Sequence, residues 1–443
     1  MIGGVQAADA VGAASAPATA HQSPTATSSR RAIFAGSIGN AVEFVDWNIY
    51  ATFSPFFSDQ FFPSRDKTAA LLSALVVFAV GFIMRPIGGA ILGSLADRRG
   101  RMTGLTLSVS LMAGASLLIA LCPTYSSIGV AAPALLLFSR LVQGFSNGGE
   151  FGASSAYLVE MASPTRRAFF GSWQQVTVSA SHLVVAGLAT ALAYSLPEKS
   201  MHDWGWRVAF GFGSALGLIG FWLRTSARES RMFARQTRRA PGDRSPLVVM
   251  LTSHRAAALR VIGITIAGTM TYYIWITYMP TYAHVASGLP LRLALLGNTV
   301  AVALFTMLLP FGGILSDRIG RRKTLMAFAG GFALIAWPAM HAMRNSFPVF
   351  MAIELAGVIL LVGYSANCAA IMAEQFPTEV RTVGIALPYA LATAVFGGTA
   401  PYIVTWLVVH QAVGWTSVYI IAASMASFFV YFAMPETSRK ELA

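Results

Sequence analysis

The sequence predicts an all-α membrane protein whose twelve transmembrane helices form two six-helix, pseudo-symmetric halves. Three observations support this fold class: the composition, a series of apolar segments and an internal repeat. Of the 443 residues, 55% are hydrophobic and only 11% are charged, whereas a soluble globular chain carries about 25% charged residues. Most of the protein surface is therefore predicted to face lipid rather than water.

The apolar segments have the length of membrane-spanning helices, each of which needs about 20 residues. They lie at 32–58, 68–96, 103–122, 128–157, 167–195, 205–224, 257–283, 293–316, 323–342, 347–373, 382–409 and 413–434. Because their number is even, both termini are predicted to lie on the same side of the membrane.

Basic residues lie mostly in alternate gaps between these segments. The rich side contains Arg30, Arg31, Arg98, Arg99, Arg101, Arg166, Arg167, the arginines from 224 to 260, Arg318, Arg321, Arg322, Lys323, Arg381, Arg439 and Lys440; the opposite side contains Arg65, Lys67, Lys199, Arg207, Arg292 and Arg344. The positive-inside rule places the side that is rich in basic residues, and with it both termini, in the cytoplasm. The membrane is predicted to be a bacterial-type cytoplasmic (inner) membrane. The net charge of +13 thus follows from topology, and no basic face of a soluble domain indicates nucleic-acid binding.

Two further segments flank or join the helical halves, which are predicted at 31–224 and 257–443. Residues 1–30 are rich in Ala, Ser, Thr and Pro without an apolar core, which predicts a disordered cytoplasmic tail and not a cleaved signal peptide. Residues 225–256 form a basic cytoplasmic linker. Arginines spaced by three and four residues in 224–244 would line one side of a helix and bind anionic lipid headgroups; a regulatory site is the alternative.

The internal repeat consists of two motifs that recur at nearly one offset. GSLADRRGRM recurs as GGILSDRIGRRK, with Asp97 matching Asp317 (317 − 97 = 220). EMASPTRR recurs as EQFPTEVR, with Glu160 matching Glu374 (374 − 160 = 214). Since each motif falls in a cytoplasmic gap, the repeat indicates two halves in parallel orientation.

Four ionisable residues fall near the middle of predicted helices: Glu43 and Asp46 in helix 1, Arg85 in helix 2 and Arg140 in helix 4. At about 1.5 Å of rise per residue, their depths in the membrane are similar. A charge at the bilayer centre costs roughly 2.5–3.5 kcal/mol and usually faces a polar cavity or a partner charge. We therefore expect the arginines to bind an anionic substrate and the acids to couple protons, with mutual neutralisation between helices as the alternative.

The residue types suit these roles. The planar guanidinium group meets a carboxylate with two hydrogen bonds and keeps its charge. Burial favours the protonated form of a carboxylate, whereas an approaching arginine favours the ionised form, so binding and protonation influence each other. Glu43 and Asp46 lie one helical turn apart and are expected to titrate as a pair. A dianion carried with one proton keeps a net negative charge, which an inside-negative potential opposes by about 2.3 kcal/mol per 100 mV, so two or more protons or a partly protonated substrate are expected.

Uncharged polar and aromatic residues are further candidates for substrate binding, with packing or an interfacial belt as the alternative role. They are Gln174, Gln175 and His182 in helix 5, Tyr272, Tyr273 and Trp275 in helix 7, Tyr364 and Asn367 in helix 10, and Tyr389 in helix 11. Gly144 and Gly148 have the small-xxx-small spacing of closely packed helices. Glu150 is either a gate or an interhelical ion pair, and Glu354 is left unassigned.

Several of these stretches resemble a known family. The motif GxLxDRxGR after helix 2, its copy after helix 8, and RLVQG in helix 4 resemble the signatures of the major facilitator superfamily, over the whole chain after residue 30. GNAVEFVDWNIY, GFIMRPIGG, RLVQGFSNGGEFG, WGWRVAF and VRTVGIALPYALATAVFGG are similar to its metabolite:proton symporters. That group includes α-ketoglutarate, citrate, shikimate and proline/betaine carriers, and helices 10 and 11 look closest to the first two. The stretch GNAVEFVDWNIY has Val45 and Trp47 where the family's aromatic-rich ExxDF form has other residues.

The resemblance implies proton-coupled symport of a small di- or tricarboxylate by alternating access, in a protein that functions as a monomer. It also implies a cytoplasmic gate made of Asp97, Arg98, Glu160, Arg167, Asp317, Arg318, Glu374 and Arg381. The alternatives are a symporter of shikimate or of a zwitterion such as betaine or proline, an efflux antiporter, and a receptor that only binds. Helix 5 lacks the glycine-proline run of the antiporters.

Enzymatic chemistry is not expected. The chain has no GxSxG nucleophile motif, and its histidines and two cysteines lack metal-ligand spacing. We therefore predict no catalytic residue, no metal and no cofactor, with the proton gradient as the energy source.

Overall fold

The computed structural model describes residues 26–99, 101–148, 150–226, 246–438 and 442. Residues 1–25 of the predicted tail (1–30) and 227–245 of the predicted linker (225–256) lie outside the described residues, with most of the arginines predicted to bind lipid. The described remainder of both segments is largely helical: residues 26–30 begin the first helix, and 246–253 form a helix of their own. The side chains of Glu43, Asp97, Arg98 and Glu150 also lie outside the described part. Every regular element in the described part is helical, and it contains no strand.

The described residues of the first half form nine helices and one π-helical turn. They are α1 (Ala26–Phe61), α2 (Lys67–Arg99), α3 (Arg101–Leu121), α4 (Tyr125–Ile128), α5 (Ala131–Ser146), α6 (Glu150–Glu160), α7 (Arg167–Ser195), α8 (Glu198–Ser200), the π-helical turn Met201–Gly205 and α9 (Trp206–Ser226).

From residue 246 onward, the part of the chain that the structure describes forms ten helices and two π-helical turns. They are α10 (Pro246–Ser253), α11 (Arg255–Tyr272), the π-helical turn Tyr273–Tyr278, α12 (Met279–Ser287), α13 (Leu291–Ile319), α14 (Arg321–Ala342), α15 (Phe347–Ser365), α16 (Cys368–Ala373), α17 (Arg381–Ala392), the π-helical turn Thr393–Gly397, α18 (Ala400–Val409) and α19 (Val413–Ala433).

Eight stretches of the described residues are long and apolar enough to cross a membrane. They are Lys67–Leu92, Arg167–Ser195, Arg255–Ser287, Leu291–Ile319, Arg321–Ala342, Phe347–Ala373, Arg381–Val409 and Val413–Ala433. Large apolar side chains are exposed on these helices, among them Met307 and Leu334, as expected of a protein whose surface faces lipid. The chain is thus a multi-pass membrane protein; twelve crossings and cytoplasmic termini stay predictions.

The structure interrupts some of the helices that the sequence predicts as continuous. Predicted helix 4 is divided between α5 and α6 near Asn147, and predicted helix 10 is divided between α15 and α16. Predicted helices 7 and 11 each contain a π-helical turn. Hydropathy does not predict such breaks because the apolar composition continues through them. π-Helical turns within helices often lie at functional sites.

Glycines allow the closest helix contacts. A Cβ atom added at Gly144 would overlap the carbonyl oxygen of Gly81, and one at Gly148 would overlap that of Arg85, so α5 lies directly against α2, as the small-residue spacing predicted. The two halves meet mainly along α7 and α13, where a Cβ at Gly313 would lie 2.8 Å from the carbonyl oxygen of Ala168.

Candidate functional site

A buried hydrogen-bond network joins Asp46 to Arg140 inside the first half. Arg140 Nη1 donates to Gln143 Oε1 over 2.7 Å, and Gln143 Nε2 donates to Asp46 Oδ2 over 2.8 Å. The hydroxyl of Ser116 donates to Asp46 Oδ1 and receives a bond of 2.7 Å from Gln143. Asp46 is 1% exposed and Arg140 is fully buried. The side-chain amide of Gln143 thus links Asp46 to Arg140, because its oxygen accepts a hydrogen bond from Arg140 while its nitrogen donates one to Asp46.

Both predicted arginines lie on the ring of Trp47. The Cζ atom of Arg85 is 3.9 Å from the ring centroid, and that of Arg140 is 4.1 Å from it. Arg85 also lies 4.3 Å from the ring of Phe82, and Arg140 lies 4.4 Å from that of Tyr50. The aromatic faces attract the two cations and hold them side by side despite their mutual repulsion.

Part of each guanidinium group lacks a hydrogen-bond acceptor. The Nε and Nη2 atoms of Arg85 and of Arg140 are buried, and no described residue accepts a bond from them. A buried donor without a partner costs about 1–3 kcal/mol, and more when it is charged. Four such donors on two adjacent cations therefore form a strong potential site for the oxygens of an anion.

Two tyrosines of the second half lie close to this pair of arginines, and a third adjoins one of them. Tyr273 packs with its ring centroid 5.2 Å from that of Phe82 and interacts electrostatically with Arg140. Tyr389 interacts electrostatically with Arg85. Tyr272 lies beside Tyr273, and its hydroxyl has no partner among the described residues. Residues of both halves thus border one central site.

Other candidate residues make contacts that tie helices together. Gln174 Oε1 accepts from the hydroxyl of Ser155, which joins α7 to α6. Trp275 donates to the carbonyl oxygen of Ile353 over 3.2 Å. The hydroxyl of Ser316 donates to Asn367 Oδ1. This contact lies near the end of the molecule that carries Arg167, Arg321 and Arg381, which is called the basic end below. Tyr364 packs on Phe328 and Gly268 within the second half, and Gln175 is buried on α7.

His182 is a buried residue of α7 that reaches the other half. Its ring forms a hydrogen bond with the backbone of Ile276, in the π-helical turn of the second half. The Nδ1 atom has no partner among the described residues.

Ion pairs at the basic end of the molecule run from one half to the other. Arg381 Nη1 lies 2.6 Å from Glu160 Oε1, and Arg167 Nη1 lies 4.0 Å from Glu374 Oε1. In the sequence repeat, Glu160 corresponds to Glu374 and Arg167 to Arg381, so each acid binds the arginine of the opposite copy. These pairs hold the two halves together at this end.

Asp317 provides a second connection between the halves. Its two carboxylate oxygens accept hydrogen bonds from the backbone N–H groups of Ala168 (3.1 Å) and Phe169 (2.9 Å) at the start of α7. A carboxylate is stabilised there by the partial positive charge of the helix N-terminus. Asp317 also pairs with Arg321 over 2.7 Å.

Arg318 was predicted to belong to the cytoplasmic gate, but the cation that binds Asp317 in the structure is Arg321. Arg318 is exposed at the end of α13, whereas the buried Arg321 binds both Asp317 and Glu374, the latter over 3.3 Å. The final arginine of the repeated GxLxDRxGR motif was the available signal. Arg321 lies four positions after Asp317, and this spacing lets the two side chains meet.

A segment near the end of the chain also joins the ion pairs, and it was not predicted from the sequence. Glu436 accepts hydrogen bonds from the backbone N–H groups of Arg321 (2.9 Å) and Arg322 (3.1 Å) at the start of α14. The hydroxyl of Thr437 donates to Glu374 over 2.5 Å. The segment after α19 thus docks on the same ion-pair network. No signal in the sequence pointed to this contact, because it joins elements far apart in the chain.

Glu436→Gln is expected to destabilise the protein at neutral pH. Burial raises the pKa of Glu436, but backbone hydrogen bonds from Ser438, Arg321 and Arg322 outweigh burial and leave the pKa below its usual value. Its stabilising contribution is therefore present at neutral pH and lost as acid protonates the carboxylate. We expect a loss of roughly 0.3–1 kcal/mol at neutral pH. This loss should begin to shrink as the pH falls below the ordinary glutamate pKa of about 4.3 and vanish once the lowered pKa of the folded state is passed. Thermal unfolding in detergent across pH measures it.

Glu379→Gln is the matched control, since Glu379 is an exposed acid near the same end. An equal effect of both substitutions, or an effect of Glu436→Gln that persists in acid, would contradict the assigned contact.

Comparisons with known proteins identify related families and relatives. A family described as Sugar (and other) transporter matches residues 45–247, and the Major Facilitator Superfamily matches residues 296–443. The alpha-ketoglutarate permease of Escherichia coli (strain K12) is 38% identical over 87% of this chain and 89% of its own length. The citrate-proton symporter of Salmonella typhi is 36% identical over 85% and 87%, respectively. The proline/betaine transporter of Salmonella typhimurium (strain LT2) is 30% identical over 93% and 85%.

Solved structures share the fold at low sequence identity. A D-xylose-proton symporter superposes with a TM-score of 0.71 over 93% of this chain and 99% of the other, at 18% identity. This similarity concerns the helical architecture alone.

Proposed function

We propose a function from one premise: the chain belongs to the major facilitator superfamily and, within it, to the metabolite:proton symporters. It is therefore a membrane transporter and not an enzyme. The proposed activity is proton-coupled symport of a small di- or tricarboxylate, such as α-ketoglutarate or citrate, across the bacterial inner membrane. The proposed topology has twelve crossings with both termini in the cytoplasm.

The observation that carries the proposal is the pair of buried guanidinium groups on Trp47. Together they offer four N–H-bearing nitrogens without acceptors among the described residues, which suits a substrate with more than one carboxylate. A zwitterion with one carboxylate and its own cation would leave one arginine uncompensated, so the geometry favours an organic acid over betaine or proline. The tyrosines of the second half would complete the site from the other side.

Proton coupling follows from the network around Asp46. Gln143 bonds both Asp46 and Arg140, so an anion that engages Arg140 alters the electrostatic compensation of Asp46. A buried carboxylate that loses this compensation favours its protonated form. Binding of substrate and uptake of a proton therefore support each other, and release of one weakens the hold on the other. Glu43, one turn earlier, is proposed to titrate together with Asp46.

Alternating access requires the connections at the basic end to break and reform. The Glu160–Arg381 pair is partly exposed and is worth only about 0–1 kcal/mol, which suits a reversible contact. In the proposed cycle, this end opens while the halves rock about the central site.

Uptake into proteoliposomes tests the function. Labelled α-ketoglutarate is offered under an imposed pH gradient, acidic outside, in competition with citrate, shikimate and betaine. We expect concentrative uptake that citrate suppresses and betaine does not. Suppression by betaine alone would identify a carrier of zwitterions. Uptake that occurs only under the reversed pH gradient would identify an antiporter, and binding without transport would identify a receptor.

Asp317→Asn is expected to slow turnover far more than it weakens binding. The variant loses the charge that binds the start of α7 and Arg321, both distant from the central arginines, so it shifts the balance between conformations. We expect the conformation that is closed at this end to lose about 1 kcal/mol of stabilisation, which is roughly a fivefold change in the equilibrium between the conformations. Transport rate and binding affinity, measured on the same preparation, separate the two effects. Equal loss of both would refute the role of Asp317 as a gate.

A further inference from the structure

Glu354 is a buried acid that the proposed mechanism does not use. It lies on α15 and is fully buried. Its Oε1 atom accepts one hydrogen bond of 2.7 Å from Asn298 Nδ2 on α13. Its Oε2 atom is buried and has no hydrogen-bond partner among the described residues.

The surroundings of Glu354 offer little to stabilise a negative charge. The elements packed on α15 are α11, α13, α14 and the π-helical turn Tyr273–Tyr278. Asn298 on α13 bonds Glu354 itself, and Trp275 in the turn bonds the carbonyl oxygen of the preceding residue, Ile353. No charged or titratable side chain of the described residues interacts electrostatically with Glu354. His182 bonds the same π-helical turn without reaching Glu354. An ionised carboxylate with one amide donor in such surroundings is strongly disfavoured, so this conformation holds the protonated acid.

The internal repeat relates Glu354 to a residue of the central site. The offset of 214 residues that matches Glu160 with Glu374 also matches Arg140 with Glu354 (354 − 140 = 214). The second half therefore carries an acid where the first half carries a substrate-binding cation. Both side chains are fully buried within their halves.

Asn298 connects Glu354 to the central site. Its Nδ2 atom also approaches the carbonyl oxygens of Trp275 (3.4 Å) and Ile276 (3.2 Å) in the π-helical turn. An amide nitrogen has two hydrogens, so three acceptors compete for them. Ionisation of Glu354 draws the amide toward the carboxylate and away from the turn. Tyr273, which interacts with Arg140, belongs to that turn.

We propose that Glu354 is a second proton-carrying carboxylate, so that each half of the transporter takes up one proton per cycle. This inference rests on the proposed symport function. Two protons neutralise a dianionic substrate, which removes the opposition of an inside-negative potential. The carboxyl group is neutral while it is enclosed by α13 and the π-helical turn, and it releases its proton when these two elements separate and admit water during the transport cycle.

The proton-to-substrate ratio tests the proposal. With the membrane potential held at zero, each coupled proton raises the equilibrium accumulation of substrate about tenfold per unit of pH gradient. We expect about hundredfold accumulation for the wild-type protein and about tenfold for Glu354→Gln at one pH unit. Exchange of substrate without a gradient should stay near the wild-type rate. Glu198→Gln, at an exposed acid outside the membrane helices, is the matched control and should keep the wild-type ratio.

Infrared titration supplies a readout that does not depend on transport. The wild-type spectrum should contain the carbonyl band of a buried protonated carboxyl group near neutral pH, and Glu354→Gln should lack it. Glu354→Asp keeps a carboxyl group and should keep the higher ratio; if the glutamine variant does not fold, a shifted band in Glu354→Asp is the readout. If the wild-type protein accumulates no organic acid, the proposed function is overturned. Equal ratios for wild type and Glu354→Gln, or no band that depends on Glu354, overturn this inference while the proposed function stands.

Discussion

Asp46→Asn is expected to abolish the contribution of the first half to proton coupling. The asparagine keeps an oxygen that accepts from Ser116, so the fold around Asp46 is expected to persist, but the side chain no longer binds a proton. At zero membrane potential, we expect the accumulation ratio to fall about tenfold per unit of pH gradient, while exchange of substrate at equal pH continues. Equilibrium accumulation of labelled substrate in proteoliposomes measures this.

Asp203→Asn is the control for Asp46→Asn, because Asp203 is exposed in the segment between α8 and α9. Proton-driven accumulation that survives Asp46→Asn unchanged would remove Asp46 from the mechanism. The same measurement on Glu43→Gln then decides how the two acids of helix α1 share the proton.

Arg140→Lys is expected to weaken substrate binding by the largest amount among the changes considered. Lysine keeps the positive charge next to the Asp46 network but lacks the planar fork that binds a carboxylate and stacks on Trp47. Loss of one partner of a buried, hydrogen-bonded charge pair costs about 2–5 kcal/mol, or roughly 30-fold to several thousandfold in affinity. Quenching of tryptophan fluorescence by substrate, or competition binding in detergent, measures the change.

This substitution separates the two interpretations of the buried charges. If the arginines only neutralise the acids between helices, a lysine with the same charge preserves that role and affinity stays near the wild-type value. Arg344→Lys, at an exposed arginine, controls for general effects of the replacement. A wild-type affinity for Arg140→Lys would therefore favour neutralisation over substrate binding.

The main residues of the candidate site were accessible from sequence because burying a charge in a membrane is costly. Asp46, Arg85 and Arg140 stood out as charges within apolar segments, and the structure brings them around Trp47. Gln143 and Ser116, which complete the network, were not recognised because a neutral polar residue in a membrane helix is common. The glycine spacing of α5 correctly indicated its close contact with α2, since steric access depends only on residue size.

Membrane character, the family and the repeat followed from composition, periodicity and motif spacing, because lipid contact and helical geometry act on each residue locally. Tertiary structure alone revealed which partners meet. In the folded protein, Glu160 pairs with Arg381 and Glu374 pairs with Arg167. Asp317 pairs with Arg321, and Glu436 binds the start of α14. These contacts depend on how helices that are distant in the sequence pack together. The π-helical turns Tyr273–Tyr278 and Thr393–Gly397 were likewise seen only in the folded structure. The position of Glu354 between Asn298 and one of those turns could only be seen after the chain had folded.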